Sequence, residues 1–391
     1  KRANWIDADS AVLSFMHGHL DRSQRDLERA VQEGQTVNQE HLADLMRWLG
    51  EVYLAQGAFD KAIAMLKQAL NHYRALAINP AEGMVALAYA WLAGGQRARA
   101  RCCFEEALMA MGSPNFSIDS RNYRTRTRSL FANALCGLEK ALADSNAFQA
   151  FCATFRAARP ALTDSQLTQW YLEPAQLPLL ADSNSTVTTF AVGLTDPWQW
   201  RDPVGNATVS TTAGLLIETP NVRELWDAFL TAPCLLQPIA GDWVVQVSCL
   251  RPRPEHPAIG GLLLWQDKWH FLRLDWGTRG QAEVALQGCV NRKEIVIGRG
   301  RLPGQEIYLR LDRCGEHIRS FCSSDGVTWF SVGQVDFAVT APVQIGLFTA
   351  SYIERLIDPG AYPEGTAIHF TNFQISIEKK DIATDDRRNC Q

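Results

Sequence analysis

The chain has 391 residues, a formal net charge of -4, and 47% hydrophobic and 20% charged residues. That length exceeds one ordinary core, so two or three domains are expected, with the composition of a folded globular protein rather than a disordered or fibrous one. The charge offers no overall attraction to nucleic acid or to an anionic membrane, and no apolar run approaches the roughly 20 residues of a membrane helix, with residues 262–265 only a strand-sized piece.

The N-terminus, Lys1-Arg2-Ala3-Asn4-Trp5, has neither an initiator Met nor a secretory apolar stretch and runs straight into an amphipathic pattern. A piece of a longer protein, with a further domain upstream, is the expectation. From Leu49 onward, Leu49-Gly50, Tyr53, Gly57, Phe59, Ala62, Leu66 and Ala69 alternate small and large residues at the offsets where two antiparallel helices interlock. The same offsets recur 38 residues later as Leu87-Ala88, Trp91, Gly95, Ala100, Phe104 and Ala107. This pattern resembles a tetratricopeptide repeat, whose usual period is about 34 residues. The extra residues fit a longer second helix and loop around 75–82. A weaker copy, Ala11, Gly18, Ser23, Leu27 and Ala30, precedes it, and degenerate helical sequence covers 129–158, so three to five helix pairs are expected. The resemblance implies a stacked, curved array whose inner face holds a protein or peptide partner.

After Arg159-Pro160 the texture changes to turn and strand formers, including Pro174, Pro178 and the run 182–189. Short alternating runs then recur through Ile377, the signature of an all-β domain. The clearest are 244–249, 271–276, 307–312 and 318–322. Asp325-Gly326 sits between Phe321 and Trp329, where a tight hairpin with positive backbone dihedrals is predicted. The order Gly-Gly-Leu-Leu-Leu-Trp (260–265), Ser-Ser-Asp-Gly-Val-Thr-Trp (323–329), Ile-Gly-Leu-Phe (345–348) and Phe-Thr-Asn-Phe (370–373) is similar to concanavalin A-like jelly rolls of the DUF1349 type. Many members of that superfamily bind or process carbohydrate and others serve only for contact, so the fold alone does not assign a role.

Alternation places Leu272 and Leu274 on one face of a strand and Phe271, Arg273 and Asp275 on the other. Tyr308, Arg310 and Asp312 repeat that arrangement. If both strands lie in one open sheet, aromatic, guanidinium and carboxylate groups line a shallow groove suited to a glycan. Trp265 and Trp269, flanking a strand next to charged residues, join that candidate ligand set. The plainer reading is a solvated face carrying ion pairs, with the remaining tryptophans packing the core. Glycoside hydrolysis needs two carboxylates on one face. The Glu-x-Asp-x-x-Glu series of laminarinase-like jelly rolls is missing, and the Arg two residues before Asp275 and before Asp312 is expected to depress each carboxyl.

Other motifs point to structure. Gly298-Arg-Gly-Arg-Leu-Pro-Gly304 lacks the Lys-Ser/Thr of a phosphate loop and reads as a β turn. His17-Gly-His19 falls at a repeat turn, and neither it nor any other cluster calls for a metal or cofactor. Arg121, Arg124 and Arg128, with Arg126 around Tyr123, are candidate partner contacts or a solvated helix start. The ten cysteines include no C-x-x-C and suggest free thiols in a reducing cytoplasm, which leaves the triplets at Asn115, Asn184 and Asn206 without a glycosylating setting.

The expected organisation is multidomain, α then β: a helical-repeat α-solenoid over 1–160, a linker over 161–190, an antiparallel jelly-roll sandwich over 191–380 and a polar tail over 381–391. The expected role is a non-catalytic scaffold belonging to a larger regulatory or signalling protein. Its helices would bind a protein partner and its sandwich a glycan or a neighbouring domain. The competing reading is a carbohydrate-active enzyme tethered by helical repeats.

Overall fold

The computed structural model describes residues 3–34, 39–111, 124–158, 172–177, 183–188, 190, 194, 196–211, 214–226, 229–254, 258–277, 282–339, 342–351 and 365–378. Among these residues eight helices come first: α1 (Ala3–Met16), α2 (Leu20–Gly34), α3 (Gln39–Ala55), α4 (Phe59–Ala75), α5 (Ala81–Ala93), α6 (Arg97–Met111), α7 (Arg124–Leu142) and α8 (Ser145–Ala158). Each packs on the next. Just after α1, α3 and α5, Gly18, Gly57 and Gly95 take φ of 80°, 76° and 76°. Nothing would touch a Cβ at Gly57 or Gly95, so the left-handed backbone, not crowding, selects glycine there. Ala143 holds the corresponding place after α7 at φ 53°, which is why that pair looks degenerate in sequence. The small residues inside the helices answer to packing instead. A Cβ on Gly50 would lie 2.5 Å from Leu66, and one on Gly137 2.1 Å from the Phe104 ring.

The strands are β1 (Glu173–Pro174), β2 (Ser183–Thr188), β3 (Gln199–Arg201), β4 (Thr208–Ser210), β5 (Leu215–Thr219), β6 (Leu225–Trp226), β7 (Phe229–Leu230), β8 (Cys234–Ile239), β9 (Trp243–Leu250), β10 (Ile259–Asp267), β11 (His270–Trp276), β12 (Glu283–Val290), β13 (Lys293–Arg301), β14 (Glu306–Cys314), β15 (His317–Ser323), β16 (Phe330–Asp336), β17 (Val343–Ala350) and β18 (Thr366–Glu378). They build a nine-stranded sheet in the order β1-β16-β15-β14-β9-β18-β5-β4, with β2 also on β18. A seven-stranded sheet runs β13-β12-β11-β10-β17-β8-β3, and β6 and β7 form a separate small ribbon. Pairing is antiparallel throughout. The two large sheets face each other across one core, in which Val245, Val247, Leu262, Leu264, Leu272, Leu274, Leu309 and Leu311 are fully buried. The architecture is therefore helices followed by a β-sandwich. Among the described residues no helix is long and apolar enough to cross a membrane.

Two expectations change. The segment 161–190 is not wholly a linker: β1 and β2 fall inside it and join the nine-stranded sheet, the second because the run Ser183-Asn-Ser-Thr-Val-Thr supplies a strand beside β18. Residues 298–301 are not a turn but the end of β13. Glycine is needed there for close approach, since a Cβ on Gly298 would lie 1.7 Å from the Val332 carbonyl and one on Gly300 2.3 Å from Leu172. At the predicted hairpin only Gly326 has a positive φ, 73°. Trp329 closes that hairpin by donating its indole N–H to the Gly326 carbonyl.

Candidate functional site

On β11 the alternation holds: Leu272 and Leu274 enter the core between the sheets, and Phe271, Arg273 and Asp275 point out of it. That outer face is covered. A second apolar cluster lies on it, with Phe271, Leu263, Leu236, Phe348 and Cys289 packed beneath Leu225 and Leu230 of the β6–β7 ribbon. Arg273 and Asp275 are 3% and 0% exposed. Arg273 Nη1 donates to Glu224 Oε1 at 2.5 Å and to the Leu225 carbonyl at 3.0 Å, and its Nε lies 3.1 Å from Asp275 Oδ2. Gln287 Nε2 donates to both Asp275 oxygens, at 2.8 and 3.1 Å. Burial pushes the Asp275 carboxyl above the usual carboxylate range, outweighing the opposite pull of Arg273 and Gln287.

Tyr308, Arg310 and Asp312 lie on β14, which belongs to the other sheet. Their outer face is turned away from that of β11, so the two triplets do not line one groove. Arg310 grips Asp312 within the strand, Nε to Oδ1 at 2.7 Å and Nη2 to Oδ2 at 3.3 Å. Asp312 is also buried, and burial raises its carboxyl despite Arg310. The expectation that the neighbouring Arg depresses each Asp is therefore corrected in both cases, because desolvation is the larger effect. The half-buried Tyr308 ring stands against Gly326 of the hairpin, about as close as ordinary contact allows for a Cβ there. Asp275 and Asp312, on opposite outer faces, do not form an acid pair.

What stays open is the edge of the seven-stranded sheet next to the β10–β11 turn. Trp265 is half-buried, stacked on Phe271 with centroids 5.4 Å apart, and the Arg201 guanidinium lies 5.2 Å above its ring. Arg201 pairs with Cys234 two rows from Trp265, and in the row between them Gly346 carries no side chain. Gln344, cross-strand partner of Trp265, donates to Gln199 Oε1 at 3.1 Å. Trp269 sits in the turn itself, 44% exposed, with Lys268 Nζ 5.0 Å from its ring. Aromatic faces, amides and a guanidinium together can pack a sugar ring and exchange hydrogen bonds with its hydroxyls.

No family model matches the chain, and no curated protein does. Solved structures align with about half of it, from 45% to 53%. A functionally unknown protein from Saccharomyces cerevisiae is 16% identical, covering 46% of this chain and 97% of that one, with a TM-score of 0.37. The carbohydrate-binding module CBM66 from Bacillus subtilis is 13% identical over 45% of this chain and 94% of its own, at 0.32. The GH43 protein BlXynB from Bacillus licheniformis is 12% identical over 48% of this chain but only 38% of its own, at 0.39. At such scores the likeness carries no argument about binding or activity.

Of the ligand candidates, Trp269 is exposed and Trp265 half-buried, Phe271, Arg273 and Asp275 lie beneath the ribbon, and Tyr308, Arg310 and Asp312 belong to the opposite face. The sequence pattern missed Arg201, Gln199 and Gln344. They sit on β3 and β17 and meet Trp265 only through strand order, which no local periodicity encodes. Among the candidate partner contacts, Arg124 and Arg128 lie in the first turns of α7, one helical turn apart, and Arg121 lies outside the described residues.

Proposed function

We propose that this chain is a non-catalytic binding segment of a larger regulatory or signalling protein. Its helices engage a protein or peptide partner, and its sandwich binds carbohydrate at the edge carrying Trp265, Trp269 and Arg201. The observation that carries this reading is the division of the outer face: Arg273 and Asp275 are buried and paired with each other, while Trp269 and the Arg201 guanidinium are exposed and Trp265 is half-buried beside them. A surface of that kind can pack a sugar ring and hydrogen-bond its hydroxyls. The glycine turns at Gly18, Gly57 and Gly95 support the tetratricopeptide-like reading of the helices, and the sandwich with its Ser323–Trp329 hairpin supports the DUF1349-like one. The nine described cysteines are all free, which fits work in the reducing cytoplasm.

The test is a glycan array probed with the full chain, comparing wild type with Trp269→Ala, Arg201→Ala and, on the opposite outer face, Gln246→Ala. Selective binding is expected, weakened about tenfold by the first two substitutions, as for a contact worth roughly 1.4 kcal/mol, and untouched by the third. Hydrolysis of a bound glycan would overturn the non-catalytic reading. Silence across the array would remove the carbohydrate role and leave the helices as the binding element.

A further inference from the structure

A second polar hollow lies far from Trp265, on the outer face of the nine-stranded sheet at its β4 edge. It is a cleft of about 220 Å³ whose lining includes Asn206, Glu218, Pro220, Pro252, Arg253 and Ala367. The register explains its shape. Thr208 pairs with Glu218 and Glu218 with Ala367, so one row crosses β4, β5 and β18 and reaches the segment that follows β9. At ordinary strand spacing that row is about 14 Å wide. Ala367 makes a low floor between the Thr208 and Glu218 wall and the Pro252-Arg253 wall. The floor continues through Gly365, where φ is +96° and a Cβ would lie 2.0 Å from the Thr219 carbonyl. Any larger residue there would break the β5–β18 approach.

The polar groups in the cleft are mixed. Glu218 Oε2 accepts from the Thr208 hydroxyl at 3.0 Å, and Glu218 has no other partner among the described residues. Asn206 Oδ1 accepts from Arg223 Nη2 at 2.7 Å, which fixes the amide and leaves its NH₂ free to donate. Arg253 is exposed and has no ion pair among the described residues. One carboxylate acceptor facing amide and guanidinium donors, with no net charge, suits neither a strong anion nor a cation. It suits vicinal hydroxyls, each of which both donates and accepts. Pro220 and Pro252 add apolar surface for a ring's C–H face. The volume lies below the 300 to 1,000 Å³ of sites for larger ligands, so it fits one ring rather than an extended chain.

We infer that this cleft is a second carbohydrate subsite, holding a single neutral sugar residue between Glu218 and Arg253. The inference rests on the reading of the sandwich as a carbohydrate-binding domain and adds a site separate from the Trp265 edge. The experiment is saturation-transfer NMR on the full chain with D-glucose, D-galactose, D-mannose, D-xylose and N-acetylglucosamine, in wild type, Glu218→Gln, Arg253→Ala and Trp269→Ala. At least one sugar is expected to bind, with affinity reduced at least about tenfold in Glu218→Gln and in Arg253→Ala and unchanged in Trp269→Ala. Matching thermal melts of wild type and the two cleft variants establish that the loss is local. Binding abolished by Trp269→Ala but not by the cleft substitutions overturns the second site while sparing the first. A glycan array that responds while no monosaccharide binds does the same. Silence in both experiments overturns both readings.

Discussion

Asp325 shows how a single side chain sets a local geometry. Its carboxylate accepts from the backbone N–H groups of Thr328 at 2.7 Å and Val327 at 2.8 Å and from the Ser323 hydroxyl at 2.9 Å, and the Ser323 oxygen in turn accepts from the N–H of Gly326. Those backbone donors, Thr328 first, pull the Asp325 carboxyl down to about 2. A carboxyl lowered on folding contributes stability that is complete above its unfolded value near 3.9 and is lost as pH falls through the folded value. The hairpin should therefore stay intact at pH 3, where ordinary carboxylates are mostly protonated. Following the Asp325 carboxyl carbon and the Val327 and Thr328 amides by NMR should give a shared midpoint near 2. A midpoint near 4 would mean that these hydrogen bonds do not hold the turn in solution. The motif Ser-Ser-Asp-Gly-Val-Thr-Trp made the hairpin legible in sequence because every partner lies within a few residues of Asp325.

At the scale of strands, the outer face of β11 is the sharper case. Arg273 sits between Glu224 and Asp275, 5.8 Å from the Phe348 ring centroid, with almost no exposure. Arg273→Ala would take the guanidinium from beside the buried Asp275 carboxyl, and a broken buried pair costs about 3–5 kcal/mol. Replacing both groups with apolar ones, Arg273→Met with Asp275→Leu, should recover part of that loss, because the Asp275 charge then needs no solvation while Glu224 still loses its Arg273 partner. Denaturant unfolding of the two variants checks this, and a double variant as unstable as the single one would show that shape rather than charge holds the site. The period-2 pattern correctly divided Leu272 and Leu274 from Phe271, Arg273 and Asp275. It carried no information on what covers the second group, because Glu224, Leu225 and Leu230 come from a ribbon more than 40 residues earlier. For the same reason the sequence could not tell that β11 and β14 belong to different sheets. Strand order depends on long-range pairing, whereas turn glycines and alternation are local, so the elements were readable and the groove was not.

The whole molecule raises the question of how the helices and the sandwich are joined, since their apolar cores are separate clusters. A polar link connects them. Arg301, the last residue of β13, lies 3.0 Å from Glu139 of α7 through Nε, and its Nη1 donates to Cys136 Sγ at 3.5 Å. Burial keeps the Cys136 thiol high and therefore protonated, so the sulfur acts as a neutral acceptor. Arg301 and Glu139 are each about a quarter exposed, at 23% and 25%, and a pair so placed is worth no more than about 1 kcal/mol. Because its members lie in different halves, that energy acts on the docking of helices to sandwich rather than on the folding of either. A double-mutant cycle of Arg301→Ala and Glu139→Ala should give a coupling of about 0.5–1 kcal/mol, shrinking in high salt as screening rises. The Arg301→Ala change should also separate the thermal unfolding of the two halves. Strictly additive substitutions with an unchanged melt would mean that the helices and the sandwich behave as independent modules, and that a partner bound by one could not influence the other through this contact.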